Sequence, residues 1–168
     1  MAAGNTYVAL ATNTLSSPTA SITFSSISGA YTDLVLVCNI INSSATNSYW
    51  AIQPNGISTS TYGVTYLYGN GSSAVSARDT NVSAIYWNYI NSHVANTNPI
   101  SCIAHIMNYA NATTKKTALM RMDSAANSTN LNVGLTAATT AITSLVVISQ
   151  TNNFATGSTF NLYGIAAA

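Results

Sequence analysis

Along residues 157–165, GSTFNLYGI, the side chains change character at every second position. Phe160 and Leu162 share one face of an extended chain, and Thr159, Asn161 and Tyr163 share the other. This two-residue period limits the fold more than any other feature, because it returns along the whole chain. It appears at residues 7–11, at Ile22 and Phe24, and in DLVLVCNII, SYWAIQ, VTYLY, SAIYWNYI, ISCIAHIMNY, TALMRM, LNVGL and SLVVIS. No segment sustains apolar residues three and four apart, the spacing of an amphipathic helix. Thr, Tyr, Val and Ile fill the periodic runs, and these residues suit a pleated, half-buried surface.

Turn chemistry separates the runs. Pro54-Asn55-Gly56 and Gly69-Asn70-Gly71 are strong signals, since Asn and Gly tolerate positive φ. NSSATN (42–47) and NSTN (127–130) read as polar loops. Gly157 suits the turn that launches the last strand, and Gly164 marks a bulge or a close backbone approach. About ten short strands with no interleaved helices predict an all-β fold, a single antiparallel β-sandwich of jelly-roll-like form. One domain spans residues 1–168, with short N-terminal and C-terminal arms as an option. An immunoglobulin sandwich fits less well: it has about 100 residues, and here both Trp50 and Trp87 lie between Cys38 and Cys102. In DLVLVCNII both faces are apolar: Leu34, Leu36, Cys38 and Ile40 on one, Val35, Val37 and Ile41 on the other. Such a strand is central and covered on both sides, by the second sheet and by a neighbouring subunit.

Charge narrows the function. The chain carries four bases, three Asp and no Glu, a charged fraction of 4%, against about 25% in an ordinary domain. Arg78, Lys115, Lys116 and Arg121 do not make the basic face that nucleic acid requires. A nearly neutral surface repels its own copies weakly, which favours association. The start, MAAGNTYVALATNTL, lacks the basic and continuous apolar regions of a secretory signal. No run approaches the ~18 apolar residues of a membrane span. Cys38 and Cys102 sit in apolar runs and read as buried thiols; their spacing leaves a disulfide between them open.

Chemistry-bearing residues are few. His105 alternates with Ile103 and Met107 on a strand, and His93 lies in a loop-like stretch. Neither has the surroundings of a catalytic triad. Asp33 follows a turn that it orders, Asp79 follows Arg78 in a loop, and Asp123 and Arg121 share a strand face as a surface ion pair. The expectation is a non-enzyme with no cofactor and no metal site. The candidate interface is the aromatic segment SAIYWNYI. Ile85, Trp87 and Tyr89 fall on one face, and Tyr86, Asn88 and Ile90 on the other. Tyr86, Trp87 and Tyr89 are thus candidate contact residues, with sandwich core as the competing role.

FSSISGAYTDLVLV, LYGNGSS, NYANATTKKT and NFATGSTFNLYGI resemble the recurring segments of a structural protein family of tailed bacteriophages, especially marine and cyanobacterial ones. The segments run from Phe24 to Ile165, and none is a catalytic or ligand motif. The resemblance implies a β-sandwich virion component. Its first form is a capsid decoration or cement protein on the capsid exterior, a homotrimer bound to the major capsid protein and working by buried area. The alternative is a tail-associated or fibre-head protein that binds host surface carbohydrate through its Asn-, Ser- and Tyr-rich loops and aromatic strand.

Overall fold

The structure is a computed structural model that describes residues 6–88, 97–124, 128–136 and 138–166. Those residues form strands and no helix. In chain order the strands are β1 Tyr7–Thr14, β2 Ser21–Phe24, β3 Asp33–Ile40, β4 Trp50–Pro54, β5 Tyr62–Gly69 and β6 Ala74–Val82. They continue as β7 Ile85–Tyr86, β8 Ile100–Ile106, β9 Thr117–Ser124, β10 Ser128–Leu135, β11 Leu145–Ser149 and β12 Thr159–Ile165. Every pairing is antiparallel. The strands make an eight-stranded sheet, β1-β12-β3-β8-β9-β10-β5-β6, and a four-stranded sheet, β2-β11-β4-β7. The pairing is nested: β1 lies beside β12, β2 beside β11 and β5 beside β10. The chain is therefore folded back on itself, and its first and last strands share one sheet.

The two-residue period decides what lies between the sheets. Leu34, Leu36, Cys38 and Ile40 of β3 point inward and are buried, as do Phe160 and Leu162 of β12 and Cys102, Ala104 and Ile106 of β8. From the smaller sheet, Ile22, Phe24, Ile52, Leu145 and Val147 meet them. Phe154 stacks edge-on against Phe160 with ring centroids 5.1 Å apart, and lies 6.2 Å from Trp50. β3 is central, as its sequence requires, and Val35 and Val37 point to its other side with His105 and Ile103. Asn55 and Gly56 turn the chain at φ 54° and 65°, and the Asn55 side chain ties this turn to Ala141, Thr143 and Ser144. Gly157 sits at φ 86°. Gly164 is a close approach: a Cβ there would overlap the Tyr31 ring.

Three stretches differ from their sequence reading. AVSARDTNV forms β6, so Asp79 is in a strand rather than a loop. This edge strand has a polar, small-residue pattern, and its ladder with β5 holds it in place. The NSTN loop is shorter than expected, because Ser128 to Asn130 already belong to β10. Asn130 and Asn132 are buried there, and burial of Asn is tolerated where its amide is hydrogen-bonded. Among the described residues of SAIYWNYI, 83–88, Ile85 and Tyr86 alone pair as a strand, against β4.

Candidate interaction face

The aromatic segment is the first candidate, and the structure places it inside. Trp87 is fully buried, and its Nε1 donates to the Ile103 carbonyl at 3.0 Å. Its backbone N donates to Trp50 O at 2.9 Å. Next to it, the Asn88 side chain accepts from Trp50 N at 2.8 Å and donates to Ser48 O at 2.6 Å. Asn132 of β10 donates to the carbonyls of Tyr86 and Trp87 at 2.6 and 2.7 Å. Tyr86 is buried as well, with its hydroxyl 3.2 Å from that of Ser83. The segment crosses between the sheets, and its named donors and carbonyls are hydrogen-bonded internally, while the Oδ1 of Asn132 is buried without a protein partner. Tyr86 and Trp87 are therefore core residues and not an exposed contact strand. Tyr89 lies outside the described residues, as does His93.

The exposed apolar surface is elsewhere. Leu67, Leu119, Leu131, Val133 and Leu135 keep 42% to 53% of their surface open, and Tyr7 keeps 60%. All stand on the outer face of the eight-stranded sheet. Antiparallel register sets them side by side, because directly paired residues share a face. One row runs Ser76, Leu67, Leu131, Arg121, Ile103, Val37. The next runs Arg78, Thr65, Val133, Leu119, His105, Val35. Leu131 rises between two shallow hollows. One, of about 400 Å³, is bounded by Leu67, Gly69, Ala74, Ser76 and Thr129. The other, of about 240 Å³, is bounded by Ile103, His105, Leu119 and Arg121.

The charges on this face are mostly paired. Arg121 Nε meets Asp123 Oδ2 at 2.7 Å, the surface pair expected from their spacing. Asp33 does not order its own turn. Its Oδ2 lies 2.9 Å from His105 Nε2, and its Oδ1 accepts from the Asn108 backbone at 2.7 Å. Pairing β3 with β8 brings these residues together across 72 positions of sequence. Arg78 stands on the rim strand β6.

Other titratable groups serve the interior. Cys38 and Cys102 are free thiols directly opposite one another on β3 and β8, and burial pushes both far up from the ordinary thiol range. Burial raises Tyr62 to about 12 and raises Tyr109. Their hydroxyls donate to backbone carbonyls, Tyr62 to Ile57 at 2.8 Å and Tyr109 to Ser28. Lys116 is buried, and burial lowers it. Its ammonium donates to the carbonyls of Thr114 and Thr139, clamping two loops. Among the described residues no group of three or more His, Cys, Asp or Glu could hold a metal ion.

A second surface is a polar cleft of about 450 Å³ where the sandwich opens between the edge strands β1 and β2. Its lining includes Thr12, Asn13, Thr23, Ser25, Ser28 and Tyr31. The apolar face went unseen in the sequence because alternation identifies two faces of a strand but not which one is covered. LNVGL carried the signal, with Leu131, Val133 and Leu135 on one side and Asn132 and Gly134 on the other. Its apolar side is the exposed one. Compared with known protein families and with curated proteins, the chain matches none.

Proposed function

We propose that the chain is a non-enzymatic structural subunit of a phage virion, a capsid decoration protein that binds and stabilises the shell. The observation that carries this reading is the broad, weakly charged outer face of the eight-stranded sheet, with its exposed Leu and Val side chains. A patch of this kind marks a surface made for protein contact. The strand order agrees with it. Within the two sheets, β1-β12-β3-β8 and β2-β11-β4-β7 alternate as the eight strands of a jelly roll do, and the hairpins β5–β6 and β9–β10 widen one sheet. Jelly rolls recur in viral capsid and lectin domains, and the phage-like segments FSSISGAYTDLVLV and NFATGSTFNLYGI fall on β3 and β12, neighbours within that sheet. Shape and surface support an assembly subunit, and the resemblance supports the virion.

A decoration protein works by area, since bursting the shell must expose what it buries. Particles with and without the protein should therefore differ in the temperature or chelator concentration at which they release their contents. Equal stability of the two would sink the reading. The alternative, a tail-associated protein that binds host carbohydrate, draws on the hydroxyl-lined cleft between β1 and β2. Calorimetric titration with host surface glycans separates the two, because saturable binding that is lost in Asn13→Ala or Tyr31→Ala favours the tail protein.

A further inference from the structure

The outer face of the eight-stranded sheet carries exposed apolar side chains with hollows between them, and this relief points to a partner. We propose that copies of this chain meet through the outer face of the eight-stranded sheet, with Leu131 of one copy seated in the Ile103–Leu119–Arg121 hollow of another. The inference names the partner at the face that carries the assembly reading, and rests on that reading. The two can nevertheless fail separately.

Knob and hollow belong to the same surface. Leu131 stands half exposed on β10, and the hollow of about 240 Å³ beside it is apolar on the Ile103 and Leu119 sides. A surface that carries both a projection and a recess for it suits a partner identical to itself. The charges agree. Arg121 and Asp123 lie on one strand edge of the stripe, 54% and 38% exposed at their side chains. A second copy laid face to face can exchange them, Arg121 of each against Asp123 of the other, so that this pair stays matched at the seam. The formal net charge of +1 puts little long-range repulsion in the way.

The area is also sufficient. Six neighbouring strands, β3 to β6 in sheet order, at about 4.8 Å spacing and about 23 Å long, present roughly 650 Å². That is close to the ~800 Å² per partner of a standard stable interface. Two-fold pairing closes such a contact in a dimer. An exchange of this kind occupies the face in both copies and does not repeat head to tail, so the assembly it makes is a dimer.

Sedimentation velocity on the purified full chain at about 10 µM, a concentration that reveals micromolar association, should show two copies. Leu131→Lys sets a charge beside Arg121 in the seam and should shift the protein to a monomer, with its far-ultraviolet spectrum and melting temperature near those of the parent. Ser21→Lys, exposed on β2 of the four-stranded sheet and so away from this face, should leave the assembly intact. A monomeric parent, or a Leu131→Lys variant that associates as the parent does, overturns the proposal. If Leu131→Lys unfolds instead, Leu119→Lys carries the same test on β9. Should the parent be monomeric yet bind capsid shells through this face, losing them in Leu131→Lys, the shell protein is the occupant. The copy contact is then wrong and the decoration function survives. In the opposite case, assembly depends on Leu131 but particles gain no stability from the protein. The copy contact then stands and the decoration function falls.

Discussion

At the scale of single residues, Gly134 and Asn132 of β10 set how much change the inner side of this strand tolerates. Ile85 packs directly on the backbone at Gly134, where a Cβ would overlap the Ile85 side chain. Gly134→Ala should therefore destabilise by about 2–4 kcal/mol, as overpacking in a fixed core does. Gly63→Ala is the control. Its nearest neighbour to an added Cβ is a backbone oxygen 3.8 Å away, in ordinary contact, so the melting temperature should hardly move. Equal losses at both positions would contradict the close crossing of β7 over β10. Asn132 supplies donors to the Tyr86 and Trp87 carbonyls. Asn132→Leu keeps the size and removes those donors, with an expected loss of about 1–3 kcal/mol in urea denaturation. In the sequence, Asn132 and Gly134 are the polar and small members of the alternating run LNVGL. Their meaning appeared only when β7 and the residues after it were laid against them, because a close approach is a property of two segments.

The elements differ in how they are held. β3, β8 and β12 have partners on both sides within the larger sheet and bury their inner faces completely or nearly so. β1 and β6 are its edges. β6 carries Arg78 and turns Asp79 toward the inner face with Val64, and an inward charge on an edge strand discourages further pairing. β1 has no charge, but a bulge between Ala9 and Ala11 breaks its regular register, which has the same effect. Amide hydrogen exchange should accordingly be slowest in β3 and β8 and markedly faster in β6 and at the outward amides of β1, since local opening follows burial and pairing. Protection in β6 equal to that of β3 would argue against its edge position, or for a partner on that edge. Most strands were legible from alternation alone. β6 was not, because a polar edge strand has the composition of a loop. The strand reading of SAIYWNYI ran past Tyr86 into Trp87 and Asn88, because a buried crossing segment is as apolar as a strand.

For the whole molecule, the buried titratable groups predict a loss of stability at alkaline pH. Cys38, Cys102, Tyr62 and Tyr109 are all raised by burial. Each binds its proton more tightly folded than unfolded, so its contribution is complete below the unfolded pKa and is lost as pH rises toward the folded one. Lys116 is lowered and acts in the opposite sense, one group against four. Stability should fall from about pH 9 upward, by on the order of 5 °C in melting temperature by pH 11. Cys38→Ala with Cys102→Ala should blunt the alkaline loss; an unchanged profile in that variant would remove the thiols as its cause.

The sequence by itself determined the class of the fold and the interior of its middle strands. Period two with turn punctuation admits only strands, and in β3 and β12 the inward residues are the ones their pattern names. It also determined how little charge the surface carries, and the ion pair at Arg121 and Asp123, two residues apart on one strand face. The tertiary structure alone decided which face of β5, β9 and β10 meets water. Alternation is symmetric between the two sides of a sheet, and only the position of the four-stranded sheet breaks that symmetry. For the same reason Trp87, the most obvious contact residue in the sequence, is core, while Leu131 stands exposed at the centre of the face.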